Sequence, residues 1–246
     1  MPTFGLQPLI VLVRPQMGEN IGAAARAMWN FGLDKMRIVS PRDGWPNSKA
    51  VAMSSGAGRL LEEAIIIESI SAAIFDCSFV FATTARSRDM IKSIYTPEQA
   101  MKITVEKLAQ GEKIGILFGP ERSGLENDDI MCANALISVP VNPQSPSLNL
   151  SHCVLLIAYE LLRQRTNSTP KVTKISHTKW AVAQELEALA NHYEEQLSEI
   201  GFFYPDTKSI SMKRNLRNFW SRLPLTKADV QMLHGILRQF ARWKKD

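Results

Sequence analysis

Apolar residues along this chain follow two periods, and the change between them divides it. Up to about residue 165, short continuous apolar runs alternate with stretches of helical spacing. Residues 9–13, 35–39, 79–82, 114–118 and 136–140 read as strands, with 65–67 a short one. Between them, 20–30, 51–63, 70–75, 97–109 and 149–164 read as helices, with Pro97 in a first turn where its missing N–H costs nothing. Continuous apolar strands separated by helices predict an α/β fold whose mostly parallel sheet is covered on both faces. The helix at 149–164 is apolar nearly all round, which predicts packing on its own sheet and on a second subunit. A single deeply buried helix would show the same pattern.

Residues 166–178 (TNSTPKVTKISHT) are polar and aperiodic and read as a linker. Beyond it the spacing is purely helical. Val182, Leu186, Leu189, Tyr193, Leu197 and Ile200 share one face, and Gly201 is a natural stop. A second helix is expected over 211–222. A third starts at Thr226, with Asp229 placed to cap it and Leu225 to staple onto Val230. The organisation expected is an α/β domain over 1–165, a linker over 166–178 and a small all-α domain over 179–246.

The 246 residues carry a net charge of +5. Residues 1–165 hold 16 basic and 16 acidic side chains, and residues 166–246 hold 13 and 8, so the whole excess lies in the helical part. That points to a polyanion gripped by the C-terminal domain, although a solvated basic surface gives the same count. No run is long enough to span a membrane and the N-terminus lacks the pattern of a signal peptide. Cys77, Cys132 and Cys153 are odd in number and widely spaced, as in a cytoplasmic protein with reduced packing thiols and no metal site.

Four loops follow expected strands and are richer in special residues than packing needs: 14–26, 82–88, 118–125 and 139–151. Asn20 suits a helix N-cap. Gly22, Ala23, Ala24 and Ala25 keep the next turn slim for a close neighbour, whether backbone or ligand. Gly119 and Gly124 permit unusual backbone angles, and Glu121 and Arg122 place opposite charges at one strand end. In open α/β sheets ligands bind beyond the C-terminal strand ends, so these loops would converge on one pocket. There is no phosphate loop, no dinucleotide fingerprint and no G-x-S-x-G elbow. His152, inside the apolar helix, reads as a packing residue rather than a triad member.

Taken together, NIGAAARAMWNFGL, ILFGPERSGL and VPVNPQSPSLNLSHCVLLIAYEL resemble, in order and spacing, the three motifs of the SpoU/TrmH branch of the SPOUT RNA methyltransferases. ATTARSR and FFYPDTKSISMKRNLRNFWSRLPLTKADVQMLHGIL resemble the subgroup acting on the tRNA anticodon loop, so the likeness spans most of the chain. The resemblance implies a C-terminal trefoil knot in the first domain, against the general rule that chains do not thread loops. It implies S-adenosylmethionine bound in that knot largely through backbone groups, and an obligate homodimer with its active site at the subunit interface. The implied cofactor contacts are Thr83, Thr84 and Ala85, then Gly119 and Val139, then Pro146, Ser147 and Leu148. Pro120 and Pro146 replace the arginine and serine common in close relatives, which alters side-chain contacts but not backbone carbonyls.

Arg26 is implied as the essential residue, at the ribose and phosphate of the target nucleotide. Asn20, Glu121, Ser147 and Asn149 are implied beside it in the catalytic set: Ser147 and Asn149 would orient the ribose or support the knot, Glu121 would anchor Arg26 or a loop amide, and Arg86 is a second phosphate clamp. Lys213, Arg214 and Arg217 would hold tRNA backbone, with Trp220 or Trp243 stacking on it. The reaction implied is 2′-O-methylation of cytidine or uridine at nucleotide 32 of tRNA. The same chemistry at another tRNA or rRNA site, or a non-catalytic RNA-binding relative, are the alternatives.

Overall fold

The computed structural model describes residues 6–85, 91–167 and 179–243. The chain runs β1 (Leu9–Val13), α1 (Gly18–Asn30), β2 (Met36–Val39), α2 (Ser48–Ser54), α3 (Gly58–Glu62), β3 (Ile65–Ile67), α4 (Ile70–Ile74) and β4 (Phe79–Thr83). It continues through β5 (Ile94–Tyr95), α5 (Pro97–Ala109), β6 (Ile114–Phe118), α6 (Asn127–Met131), β7 (Ala135–Ile137) and α7 (Leu150–Asn167). Three helices follow: α8 (Ala183–Glu199), α9 (Asp206–Arg222) and α10 (Lys227–Trp243).

Seven strands form one parallel sheet in the order β3-β2-β1-β6-β4-β7-β5. Alternation along the strands assigns the two faces. Ile10, Leu12, Phe81, Ile116 and Phe118 pack under α1, α5 and α7. Val11, Val13, Val80, Ala82 and Leu117 pack on the other face with residues of α4 and α6. Both faces are covered, which is why the strands read as unbroken apolar runs.

Several elements differ from the sequence reading. The helix expected over 51–63 is two helices, because Ser55 and Gly56 adopt φ of +38° and +88°. The first begins earlier, where the Asn47 side chain accepts from the Lys49 and Ala50 N–H groups. β5 and α6 were not foreseen: β5 is two residues long, and α6 (NDDIM) is too short and polar for a period to emerge. β7 ends at Ile137 rather than 140. Thr166 and Asn167 continue α7, and the rest of the expected linker lies outside the described residues. α9 starts at Asp206, five residues before expectation, in a polar run without apolar spacing.

The three C-terminal helices enclose a core of Leu189, Ala190, Trp220 and Val230, with Leu225 packed against it. Thr226 and Asp229 cap α10 reciprocally: the Asp229 N–H donates to Thr226 Oγ1 at 3.2 Å and the Thr226 N–H to Asp229 Oδ2 at 2.8 Å. This bundle docks beside the N-terminal ends of β4 and β7, where the Ala183 N–H donates to the Cys77 carbonyl and Asn134 Nδ2 to the Ser221 carbonyl, both at 2.8 Å. No helix among the described residues is long and apolar enough to cross a membrane.

Candidate active site

β4, β6 and β7 are neighbours in the sheet, so the loops leaving their C-terminal ends meet. They enclose a cavity of about 290 Å³. Thr83, Thr84 and Ala85 form one wall, residues 118–125 a second, and Val139, Pro146, Ser147 and Leu148 a third. All eight residues that the resemblance offered as cofactor contacts line it. Ile137, Leu150 and Cys153, which sequence reasoning did not single out, add apolar surface. Cys153 lies on the α7 face turned towards the sheet core, one position before Val154, so helical spacing was the available signal.

Backbone bonds hold the walls together. The Thr84 N–H donates to the Ile137 carbonyl at 2.9 Å, and Thr83 Oγ1 to the Leu117 carbonyl at 3.0 Å. A Cβ on Gly119 would stand 2.2 Å from the Leu125 nitrogen and 2.5 Å from the Gly124 carbonyl carbon. Only glycine lets the 119–125 loop fold back on itself so tightly. Among the described residues, Glu121 and Arg122 are the only charged ones lining the cavity, and burial pushes the Cys153 thiol up to about 11, so it stays neutral. Burial likewise raises Cys77 to about 12 and Cys132 to about 11, in keeping with packing thiols.

Asn20 is not the N-cap of α1. The cap position is Met17, whose side chain makes no capping bond, and Asn20 lies buried in the first turn. A carboxylate from 105 residues away fixes the chain entering the helix instead. Glu121 accepts from the Gln16 N–H at 2.7 Å and the Met17 N–H at 3.2 Å, placing a carboxylate at the positive end of the helix. Its Oε1 also accepts from Asn20 Nδ2 at 2.9 Å. Asn20 Oδ1 in turn accepts from Asn149 Nδ2 at 2.9 Å, and Asn149 Oδ1 from the Ser151 N–H and hydroxyl at 2.8 and 2.7 Å. One polar chain thus joins the 14–26, 118–125 and 139–151 segments. The slim turn after Asn20 serves backbone approach: a Cβ on Gly22 would sit 2.1 Å from the Ala50 carbonyl oxygen of α2.

Arg26 projects from α1 into solvent, does not line the cavity of its own chain, and has no hydrogen-bond or ion-pair partner among the described residues. His152 is exposed, not packed. It shares with Leu155, Leu156 and Tyr159 the outer face of α7, while Val154, Ile157, Ala158 and Leu161 form the inner one. In the helical domain, Arg217 pairs with Glu194 at 2.6 Å, Arg214 reaches Asp128 at 3.3 Å, and Lys213 Nζ sits 5.3 Å from the Phe203 ring centre. Trp220 is buried and cannot stack on a nucleotide. Arg86 and the Trp243 side chain lie outside the described residues. No group of three or more His, Cys, Asp or Glu side chains among the described residues could hold a metal.

Comparison with known proteins agrees with this geometry. The SpoU rRNA Methylase family matches residues 7–159, and the C-terminal domain of the tRNA methyltransferase TrmJ matches residues 184–246. The tRNA (cytidine/uridine/adenosine-2′-O-)-methyltransferase TrmJ of Pseudomonas aeruginosa is 32% identical over 94% of this chain and 92% of its own. The tRNA (cytidine/uridine-2′-O-)-methyltransferase TrmJ of Photorhabdus laumondii is 31% identical over 96% and 97%. The crystal structure of TrmJ from Z. mobilis superposes with a TM-score of 0.86 at 43% identity, covering 96% of this chain and 99% of that one. The chain belongs to the SpoU methylase family.

Proposed function

We propose that this protein is a homodimeric S-adenosylmethionine-dependent methyltransferase acting on the ribose 2′-hydroxyl of tRNA, at cytidine or uridine 32 of the anticodon loop. The observation that carries the reading is the convergence of three distant segments on one glycine-walled cavity, braced by the Glu121–Asn20–Asn149 chain. The tRNA names borne by full-length relatives support the substrate class. The trefoil crossing implied by the family would lie among the same three segments.

The residues present fit the cofactor. Gly119 leaves no side chain between the ligand and the backbone of its loop, and backbone groups of the 119–125 and 139–148 segments border the space. Phe118, Ile137 and Leu150 offer an apolar bed for a base. When bound, S-adenosylmethionine supplies a methyl group already activated by its sulfonium, so the protein's own work is positioning and charge.

Arg26 is the residue for that charge. A guanidinium is not deprotonated in a protein, so Arg26 holds the phosphate beside the target ribose and stabilises negative charge as it develops on the 2′-oxygen. Ser147, on the cavity wall, is placed to orient the ribose. Asn20, Glu121 and Asn149 are committed to one another and act by holding the loops. Arg26 faces away from its own cavity, and the outer face of α7 carries exposed Leu155, Leu156 and Tyr159. A second subunit laid on that face would cover the apolar patch and bring Arg26 to the partner's cavity.

The test is transfer of labelled methyl from S-adenosylmethionine to unmodified tRNA, with the modified nucleotide mapped and Arg26→Ala run in parallel. Incorporation at the ribose of nucleotide 32, lost in the variant, is the expected result. Incorporation into rRNA alone would move the target, and none into either RNA would favour a non-catalytic RNA-binding protein.

A further inference from the structure

Lys92 has no part in the chemistry proposed above. It follows the cofactor wall by seven residues and precedes β5, and the residue is 8% exposed. The ammonium donates to the Ala133 carbonyl and, at 2.6 Å, to Ser221 Oγ, with the Met131 carbonyl at 3.5 Å. No carboxylate pairs with it among the described residues. A buried ammonium whose partners among the described residues are all neutral oxygens is costly, and an apolar side chain of similar length would fold at least as well. Packing alone does not account for a lysine here.

The three segments it joins give the reason. Lys92 stands on the chain that continues from Thr83–Ala85. Met131 and Ala133 end the stretch that continues from the 119–125 loop through α6. Ser221 lies in the last turn of α9, the helix that carries Lys213, Arg214 and Arg217. Asn134 completes the junction: its Nδ2 donates to the Ser221 carbonyl at 2.8 Å, and its Oδ1 accepts from the Val80 N–H of β4 at 2.7 Å. A further polar link of α9 to this domain, Arg214 to Asp128, lies two turns up the helix and is solvent-exposed, so it adds little.

We propose that Lys92 is a positioning residue: with Asn134 it fixes α9 against the two segments that continue from the cofactor walls, and so sets where bound tRNA lies relative to the cavity. This rests on the reading of the protein as a tRNA methyltransferase whose basic helical domain binds tRNA.

The experiment compares full-length wild type, Lys92→Met and Ser221→Ala in steady-state methyl transfer to tRNA, in S-adenosylmethionine binding by calorimetry, and in thermal melting. Loss of a charge-assisted tether that acts on substrate placement should raise KM for tRNA by about tenfold in Lys92→Met, with the same direction in Ser221→Ala. The kcat at saturating tRNA and the cofactor Kd should be unchanged, and the melting temperature should not fall. Should Lys92→Met not fold, Ser221→Ala, which removes only a hydroxyl, carries the test. An unchanged KM beside an active wild type overturns the inference. So does a raised KM accompanied by weaker cofactor binding and a lower melting temperature, which marks a purely structural lysine. A wild type that transfers no methyl to tRNA overturns the functional reading itself, and this one with it, before any variant is compared.

Discussion

Asn149 donates to Asn20 at 2.9 Å across 129 positions of sequence, and this one bond ties the start of α7 to the first turn of α1. Asn20 passes the link to Glu121, whose carboxylate takes two backbone N–H groups at the head of α1. The three loops are therefore one polar unit, and its members act through one another.

Removing the centre of that unit should be felt as stability. Glu121→Ala strands the Gln16 and Met17 amides and the Asn20 side chain in a partly buried place, at a cost of about 3 kcal/mol. Glu121→Gln keeps one acceptor and should lose less than half as much. Urea unfolding of the two variants checks the order; equal losses would mean that the carboxylate charge, not its acceptors, matters.

Gly119→Ala should weaken S-adenosylmethionine binding by at least about tenfold, because the added carbon collides with backbone that cannot rotate away. Far-ultraviolet circular dichroism should be unchanged, since the loop lies outside the sheet core. Calorimetry with the cofactor reads the effect, and an unchanged affinity would remove the 119–125 loop from the cofactor site.

If Arg26 serves the partner's cavity, two defective variants should complement when assayed at S-adenosylmethionine concentrations too low to load the Gly119→Ala cavity. Mixed and re-equilibrated Arg26→Ala and Gly119→Ala subunits form heterodimers with one complete site, giving about a quarter of wild-type activity after statistical exchange. Activity no higher than either variant alone would keep Arg26 in its own chain's site.

Burial pulls the Lys92 ammonium down to about 8. A lysine whose folded pKa lies below its unfolded value costs stability at low pH, and the cost is relieved as pH rises from the folded pKa to the unfolded one. Lys92→Met should therefore be more stable than wild type by up to about 3 kcal/mol at neutral pH, with the gap closing between pH 8 and 10.5. Unfolding curves of both proteins across that window give the difference, in which other groups cancel.

His192 and His234 stack with their Nδ1 atoms 2.8 Å apart, and burial, then His192 and Arg238, lower the pKa of His234. Its folded value lies below the unfolded one, so stability holds above about pH 6.5 and falls as the solution becomes more acid. Melting temperatures at pH 8 and pH 5 should differ less in His234→Gln than in wild type.

Much of this was legible in the chain itself. Continuous apolar strands gave a buried parallel sheet because both of its faces carry helices, so no polar alternation survives. The eight residues now found along the cavity came from the family resemblance, because its motifs are runs of neighbouring residues that survive in the chain whatever its fold. The Thr226–Asp229 cap and the break at Gly201 are local in the same sense.

What the sequence could not carry were relations between distant side chains. Asn20 has the chemistry of an N-cap, yet its side chain bridges Glu121 and Asn149 from inside the first turn, because tertiary packing delivered both partners to it. Trp220 looked available for stacking, but three helices closed over it. Lys92 showed no local sign of its burial, which depends on α9 arriving beside β7. Periodicity and backbone demand are properties of neighbouring residues, so the sequence alone determined the sheet, the helical domain and the glycine-walled loops. Which polar groups meet depends on how separate elements dock, so only the tertiary structure decided the latch at α1 and the junction at Ser221.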